Sequence, residues 1–292
     1  MITKKNLLYN FIFRASSDKK IRTYYHLLEP LFHSMSDNNM FLNLGYDDLN
    51  ENPINSIVNT QKRMVDIVTS NFNKEGTWLD AGSGAGAPAC YLVNKYSNIN
   101  IEGINIVKPQ IEKANDLAKK NNCESKVKFN YGDAQEIPFG DNYFKNIYAI
   151  ESAFHFEGKI NFANESTRVL KPNGKISIAD IVIRSEYLKF RDWYKVSIAK
   201  HGLATKEFYN KIKWTNLLKQ SGFKDIKVLD ITHNVSTVLP HWINLINKNQ
   251  NKLLDLYPKI FLTMLCKCLS FQYNKMKESP FGYILVTAKN EE

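Results

Sequence analysis

From residue 77 onward, short apolar runs alternate with stretches of helical periodicity. Five strand-like runs follow one another in this way, namely "TWLDA", "NIEGINI", "KVKFNYGD", "FKNIYAIE" and "KISIADIVI". Between them lie segments such as "APACYLVNKY" and "KPQIEKANDLAKKNN", whose apolar residues recur every three to four positions. Regular alternation of strands and helices favours a parallel sheet covered by helices on both faces. In such sheets, ligands bind beyond the carboxyl ends of the strands.

The end of the chain departs from this alternation. "WTNLLKQSGFKDIKVLDIT" predicts a helix, a stop at Gly222 and a sixth strand, and "FGYILVTAK" predicts a seventh after a long helical segment. We therefore expect an α/β fold: a Rossmann-like, seven-stranded, mostly parallel sheet with an antiparallel last strand and a helical lid. The predicted units are an N-terminal helical cover (1–60), a cofactor-binding core (61–183), lid segments (184–280) interrupted by strand six (about 225–231), and the last strand with a tail (281–292).

Composition narrows the classes of partner. The net charge is +10, but the lysines are scattered and form no basic stripe, so we expect no nucleic-acid partner. The positive charge instead suits an anionic substrate or an acidic membrane surface. The four cysteines show no C-x-x-C spacing, which suits a cytoplasmic protein. The apolar run within "KKNLLYNFIFR" (4–14) is too short for a signal peptide or a membrane span, so we expect a covering helix there and no stable membrane insertion.

The stretch "WLDAGSGAGAP" (78–88) places three alternating glycines directly after the first predicted strand. Glycine costs roughly 0.5–1 kcal/mol in regular structure, so the pattern indicates a tight turn or a closely approached ligand. A dinucleotide dehydrogenase would carry an acidic residue at the end of the second strand to bind a ribose. Here Asn105 stands at that point, and an acidic residue, Asp80, precedes the glycines instead.

The motifs together resemble those of a known family. "LDAGSGAG", "GDAQEIPFGDNYF" and "RVLKPNG" resemble the conserved motifs of class I S-adenosylmethionine-dependent methyltransferases, and the resemblance spans about residues 40–289. "GINIVKPQIEKA", "AIESAFHF" and "ISIADIV" are similar to a small-molecule branch. That branch contains antibiotic sugar O-methyltransferases of the rebeccamycin and erythromycin type, cyclopropane fatty acid synthase-like enzymes and isoprenoid C-methyltransferases. The resemblance implies S-adenosyl-L-methionine as co-substrate and a small-molecule acceptor.

The resemblance also implies a set of cofactor-binding residues. Gly82 and Gly84 would let the backbone approach the cofactor, and Asp80 would accept a hydrogen bond from its ammonium group. The remaining members contact the ribose (Asn105, Gln110), the adenine (Ile106, Asp133, Ala134, Gln135) and the methionine end (Tyr46), while Glu151 lines the pocket. Ile106 and Tyr46 would look the same as ordinary packing residues, and Asp80 could instead cap the N–H groups of its own loop.

Two residues stand where a catalytic base is expected. His155 follows the fourth strand and Asp180 lies at the end of the fifth, so their side chains could meet in one pocket. A positioned base contributes about 10²–10⁴-fold to transfer to a neutral hydroxyl. We expect Asp180 to orient the imidazole and favour its charged form. The sugar O-methyltransferases carry two adjacent histidines here, and Phe154 occupies the place of the first, which leaves a structural role for His155 open.

Three functions follow from this pattern. The favoured one is O-methylation of a small natural product, with His155 and Asp180 as the base pair and no metal. A second is C-methylation of an alkene such as a prenyl diphosphate, with Mg²⁺ and lid lysines holding the diphosphate. In that case aromatic side chains would stabilise a carbocation: Phe154, Phe156, Trp242, Phe261, Phe271 and Tyr273. A third is a methyltransferase-like fold that binds a cofactor or partner without turnover. A homo-oligomer is compatible with all three.

Overall fold

The computed structural model describes residues 17–35, 39–49, 54, 56–185 and 190–291. The helix expected at 4–14 lies outside these ranges. The helices are α1 (Ser17–Met35), α2 (Ile57–Val68), α3 (Ala87–Lys95), α4 (Lys108–Lys120), α5 (Lys159–Val169), α6 (Phe190–Gly202), α7 (Lys211–Gln220), α8 (Thr232–Ser236), α9 (Leu239–Lys248), α10 (Gln250–Leu254) and α11 (Lys259–Asn274). The strands are β1 (Gly76–Ala81), β2 (Ile99–Asn105), β3 (Val127–Tyr131), β4 (Phe144–Ile150), β5 (Leu170–Ile183), β6 (Lys224–Asp230) and β7 (Phe281–Lys289).

All seven strands form one sheet in the order β3-β2-β1-β4-β5-β7-β6. The pairs among β1 to β5 are parallel, and β7 lies antiparallel to both β5 and β6. The predicted Rossmann-like sheet with an antiparallel last strand is therefore confirmed. The strand order reverses between β1 and β4, which is the point at which parallel sheets of this kind form a ligand crevice.

Local signals in the sequence account for several element ends. Pro88 and Pro109 lie in the first turns of α3 and α4, where a missing N–H leaves no hydrogen bond unmade. Gly222 follows α7 with φ of +94°, the left-handed conformation that ends many helices. Asn210 begins α7 by accepting a hydrogen bond from the Lys213 N–H at 2.8 Å.

The turn predicted at Pro-Asn-Gly before the fifth strand takes the form of a bulge inside β5. Phe144 of β4 pairs with Leu170, but Asn146, two residues on, pairs with Lys175. The three extra residues on β5 are accommodated because Asn173 adopts φ of +63°, which asparagine tolerates. β5 also continues past Asp180 to Ile183, since its last residues pair with β7. Asp180 therefore lies inside the strand and not at its end.

The sheet buries an apolar core on each face. On one face Trp78 and Tyr148 are fully buried against α2, α3 and α4 side chains. On the other face Ile147 and Ile178 pack against α5 and α7, with Phe162 and Trp214 fully buried between them. Both faces of the central strands are thus apolar, which is the burial that a parallel sheet requires.

The helices outside the alternating pattern form a separate cluster beside the sheet. Trp242 of α9 and Leu262 of α11 pack with Leu31 of α1, and the Tyr257 hydroxyl donates a hydrogen bond to the Leu27 carbonyl at 2.5 Å. These helices near the end of the chain therefore hold one side of α1, and Val107 and Ala204 pack against another. Among the described helices, none combines the length and the apolar character that crossing a bilayer requires.

Gly86, which begins α3, provides a test of this packing. A Cβ at Gly86 would lie 2.6 Å from the Phe129 ring and 2.8 Å from Ala114 Cβ, and its φ is +84°. We expect Gly86→Ala to lower the free energy of unfolding by about 2–4 kcal/mol, because overpacking and left-handed backbone strain act together. Urea unfolding measures this change. Gly140→Ala is the matched control, since a Cβ there meets nothing within 4 Å; equal losses in the two variants would contradict the prediction.

Candidate active site

A cleft opens at the carboxyl ends of β1, β2 and β4. Its empty volume, counted to the open mouth and including solvent there, is about 780 Å³. The turn after β1, the end of β2, the loop after β3 and the turn after β4 form its walls. Ile21, Arg22 and Tyr25 of α1 cover one side.

The glycine-rich turn after β1 forms the floor of the cleft. Gly82, Gly84 and Gly86 all have positive φ, so the turn is a left-handed conformation at alternate residues. A Cβ at Gly82 would lie 2.5 Å from Ser152 Cβ, and one at Gly84 would lie 3.2 Å from Leu42 Cδ1. The glycines are therefore required by the protein's own packing and not only by a ligand. Both Gly82 and Gly84 line the cleft, and their contact with a cofactor stays a prediction.

The side-chain amide of Asn105 connects the glycine turn to α4. Its Nδ2 donates to the Gly84 carbonyl at 3.3 Å and to Gln110 Oε1 at 2.9 Å, while its Oδ1 accepts from the Val107 N–H. Gln110 Nε2 is buried at the cleft wall and has no partner in the described structure. Because Gln110 Oε1 is engaged, this N–H₂ group is the part of the side chain left for a ligand that accepts hydrogen bonds.

The loop after β3 forms the opposite wall. The Gln135 backbone N–H and side-chain amide both donate to the Asp133 carboxylate, and Gln135 Oε1 accepts from the Gly158 N–H. Gln135 therefore ties this loop to the segment after β4. Asp133, Ala134, Gln135 and Ile106 all line the cleft, and their roles toward adenine remain predictions.

His155 lies in a short 3₁₀ turn after β4 and is 5% exposed. Its Nδ1 is 3.3 Å from the Ala204 carbonyl, and its Nε2 is 3.2 Å from the Tyr25 hydroxyl. A carbonyl only accepts hydrogen bonds, so Nδ1 carries the proton and Nε2 accepts from Tyr25. Burial lowers the pKa of His155 to about 3, helped by the nearby positive charge of Lys159 and opposed by the Ala204 bond. The expectation that Asp180 favours the charged imidazole is therefore wrong.

Asp180 is fully buried and interacts with Lys159 instead. Its Oδ1 accepts from the Ile181 N–H, and its Oδ2 has no partner in the described structure. Burial raises the pKa of Asp180 well above its usual range, although Lys159 opposes that shift. Burial also lowers the pKa of Lys159 to about 8, and its ammonium donates to the carbonyls of Phe154 and Phe156. In the described part of the chain no hydrogen bond joins Asp180 to His155, so their action as a base pair stays a prediction.

Three predicted cofactor residues lie outside the cleft lining. Asp80 is buried beneath the glycine turn and accepts a hydrogen bond from Tyr148 at 2.9 Å. Glu151 accepts from the Leu44 N–H at 2.7 Å and from the Tyr283 hydroxyl at 2.9 Å. Tyr46 packs against the core beside α2. Their direct contact with a cofactor stays a prediction.

Most of the aromatic side chains that the alkene hypothesis places around a carbocation lie away from the cleft. Trp242 is buried beneath α1 and donates to the Leu44 carbonyl, while Phe271 and Tyr273 are exposed on α11. The rings that surround His155 are Tyr24, Tyr25 and Phe154. Tyr25 and Lys159 were missed in the sequence because no motif marks either residue. Within the described ranges, no group of three or more His, Cys, Asp or Glu side chains could hold a metal ion.

Burial of Asp80 predicts a pH dependence of stability. Burial raises the pKa of Asp80 to about 7, with the Tyr148 hydrogen bond opposing the shift. Between about pH 4 and pH 7 the folded chain holds a proton that the unfolded chain lacks, so the free energy of unfolding falls as the pH rises through this window. We expect Asp80→Asn, which stays neutral and keeps an acceptor for Tyr148, to reduce this fall by up to ~4 kcal/mol.

Urea unfolding at a series of pH values measures that slope. Asp116→Asn, at a side chain 78% exposed on α4, is the matched control and should leave the slope unchanged. If Asp80→Asn leaves the dependence of the free energy of unfolding on pH as it is in the parent protein, Asp80 is ionised in the folded protein.

Known proteins resemble this chain in both sequence and fold. Residues 79–178 match a family described as a methyltransferase domain. The chain is 39% identical to methyltransferase GfsG of Streptomyces halstedii over 106 residues, which is 36% of this chain and 38% of that one. It is 34% identical to 27-O-demethylrifamycin SV methyltransferase of Amycolatopsis mediterranei over 36% of this chain and 38% of the relative.

A sterol 24-C-methyltransferase of Schizosaccharomyces pombe is 31% identical over 59% of this chain and 47% of its own length. The chain therefore spans less than half the length of these three relatives. Among solved structures, the [4+2]-cyclase SpnF superposes with a TM-score of 0.78 at 22% identity, covering 94% of this chain and 97% of that one.

The matched segment contains the glycine turn, the end of β2, the loop after β3 and His155, which are the parts that form the cleft. The resemblance predicted from these motifs is thereby confirmed. Residues 79–178 are thus similar to a methyltransferase domain, and the sheet has the fold seen in class I S-adenosylmethionine-dependent methyltransferases.

Proposed function

We propose that this chain transfers a methyl group from S-adenosylmethionine to a hydroxyl of a small natural product. The observation that carries the proposal is the cleft, whose lining combines a glycine turn, a buried amide donor and a buried imidazole. Names of relatives support it, since one of them acts on a demethylated rifamycin oxygen.

The residues of the cleft fit this cofactor. Gln110 Nε2 is a buried donor with no protein partner, and a ribose hydroxyl is an acceptor of the kind that would satisfy it. Gly82 and Gly84 bring backbone atoms to the cleft without side chains. The sulfonium of the bound cofactor supplies an activated methyl group. The chain's own residues then have to orient the acceptor and exclude water from the cleft.

Removal of the hydroxyl proton is assigned to His155. Its Nδ1–H is held by Ala204, so the Nε2 lone pair faces the Tyr25 hydroxyl at the cleft. A proton released from the acceptor can reach Nε2 directly, after displacement of the Tyr25 hydroxyl, or by way of that hydroxyl. Asp180 has no hydrogen bond to His155 in the described structure. It accepts one from the Phe154 backbone N–H and attracts Lys159, which holds the carbonyl groups on either side of His155. Lys159 and Asp180 are thus positioning residues in this proposal.

Methylation of an alkene carbon is the second candidate. Three aromatic rings approach the imidazole, with ring centroids at 3.9 Å for Phe154 and 5.6 Å for both Tyr24 and Tyr25. Aromatic faces stabilise cations, which form when an alkene is methylated. The sterol C-methyltransferase relative supports this candidate. The cyclase in the same fold shows that a reaction class cannot be assigned from the fold by itself, so a chain without methyl transfer stays a third candidate.

Binding of the cofactor is tested through Gln110. We expect S-adenosylhomocysteine to bind by calorimetry and NAD not to bind. Gln110→Leu should weaken binding about tenfold, because it removes the donor and leaves Asn105 without its partner. Gln220→Leu, at the exposed end of α7, is the control and should bind as the parent does. Binding of NAD in place of S-adenosylhomocysteine would refute the cofactor assignment.

Turnover is tested with methyl-labelled S-adenosylmethionine and an acceptor library, and fragmentation locates the label on oxygen or carbon. We expect His155→Ala to lower kcat by about 10²-fold, toward the low end for a general base because the buried imidazole is a weak one. Cofactor affinity should stay constant. His233→Ala, at an exposed histidine of α8, is the control. If His155→Ala keeps full activity and the label is found on carbon, the reaction is methylation of an alkene and not of a hydroxyl.

The pH profile of the rate tests the environment of His155. An ordinary histidine loses its basic form as the pH falls through about 6.5. Because burial lowers the pKa of His155 to about 3, its basic form persists at mildly acid pH. We expect kcat to stay level from about pH 7.5 down to pH 5, measured at saturating cofactor and acceptor. A loss of half the rate near pH 6.5 would show that His155 is not held in this buried, neutral state during turnover.

A further inference from the structure

Large apolar side chains are exposed along two helices beside the cleft. On α6 they recur at helical spacing, with Phe190 96% exposed, Trp193 65% and Ile198 62%. On α11, Ile260 is 71% exposed and Met264 is 56%, and Phe271, 36% exposed, lies on the same face two turns further on. Leu262 is the one side chain of the sixteen in α11 that is fully buried. We call the outward faces of α6 and α11 the aromatic surface.

The two helices form one continuous surface. Lys195 Nζ of α6 lies 4.6 Å from the centroid of the Phe271 ring of α11. Arg184, a few residues before α6, donates a hydrogen bond to the Met276 carbonyl just after α11 at 2.9 Å. An exposed apolar area of this kind, with more than one aromatic side chain, indicates an interaction site and not scattered surface residues.

Positive charge is concentrated in the two segments of the sequence that contain these helices, one of which also includes α9 and α10. Residues 239–278 contain six lysines and two acidic residues, and residues 190–202 contain three basic residues and one acidic residue. These two segments therefore carry six of the ten net positive charges of the chain. Lys259 and Lys267 are exposed on α11 itself, among the apolar side chains. A partner for this surface must accept apolar side chains and carry negative charge.

We infer that the aromatic surface docks the protein on an anionic lipid bilayer. Trp and Tyr side chains lie at the headgroup level of membranes, and lysines beside them bind acidic headgroups. A second copy of the chain fits less well, because two such surfaces would bring like charges together. The binding is peripheral: the apolar side chains of α6 and α11 enter the headgroup region and neither helix spans the bilayer.

The surface has a direct connection to the cleft. The inner side of α6 carries Val196, which packs with Phe154, and Ala204, just after α6, accepts the hydrogen bond from His155. One side of α6 thus packs on Phe154, the neighbour of His155, while the other faces the bilayer. On the basis of the proposed function, docking would bring the acceptor end of the cleft next to the lipid, which suits an acceptor that partitions into membranes.

Tryptophan fluorescence tests the docking directly. The chain has four tryptophans, and Trp78, Trp214 and Trp242 are no more than 2% exposed, so a change on docking reports Trp193. We expect vesicles of equal parts phosphatidylglycerol and phosphatidylcholine to shift the emission to shorter wavelength and to sediment the protein. Pure phosphatidylcholine vesicles should bind more weakly, and added salt should weaken binding to the acidic vesicles.

Paired variants separate the apolar and electrostatic contributions. The double variant Phe190→Ser and Ile260→Ser should reduce partitioning at least tenfold, whereas Leu229→Ser, at a side chain 52% exposed on β6, should not. Replacing Lys259 and Lys267 by Gln should weaken partitioning roughly fivefold per lysine, whereas Lys120→Gln and Lys171→Gln at exposed positions elsewhere should have little effect.

Other results would overturn the inference. One is the absence of binding to acidic vesicles by the intact chain. Another is a dimer in solution that the Phe190 and Ile260 variants dissociate, which would make the surface an interface between copies. Because vesicle binding needs neither cofactor nor acceptor, its outcome is independent of whether methyl transfer is found.

Discussion

The hydrogen bonds of the Asn105 side chain determine how the cleft is built. This one amide holds the Gly84 carbonyl, the Gln110 side chain and the Val107 backbone, and so joins the glycine turn, the end of β2 and the beginning of α4. A carboxylate at this position has no N–H₂ group to donate to Gly84 or Gln110. The amide therefore holds the wall of the cleft together and makes it polar. Asn105 binds the oxygen of the Gln110 side chain, which leaves the Gln110 nitrogen as the donor without a partner in the described structure.

Burial governs the chemistry around His155 more than charge pairing does. In this small volume burial raises the pKa of Glu151 to about 7 and that of Asp180 well above its usual range, and it lowers those of His155 and Lys159. In each case desolvation is the largest cause, because the charged form loses its hydration. The interior beside the cleft therefore favours uncharged forms, with hydrogen bonds and not ion pairs holding the groups in place. A positively charged cofactor entering this region meets few full charges of its own sign.

Much of the fold could be predicted because strand and helix periodicity is a local property. The locations of β1 to β5 and of β7 along the chain follow from segments that can be read one at a time. The glycine turn and the loop at Asp133 could be predicted for the same reason, since each is a contiguous motif. The Tyr25–His155 contact joins residues 130 positions apart, and no motif records it. The environment of Asp180 was missed because strand β5 continues past the expected end and encloses this carboxyl group.

The position of β7 in the sheet has a consequence for how the protein is assembled. β7 lies between β5 and β6, so residues 281–289 pair with partners from 170–183 and 224–230 on both sides. Until those residues leave the ribosome, β5 and β6 each present an open edge, and the Tyr283 hydroxyl is not in place to hold Glu151. The two strands on either side of β7 therefore gain this pairing only once residues 281–289 have been made, so the sheet cannot close in the order in which its strands are synthesised.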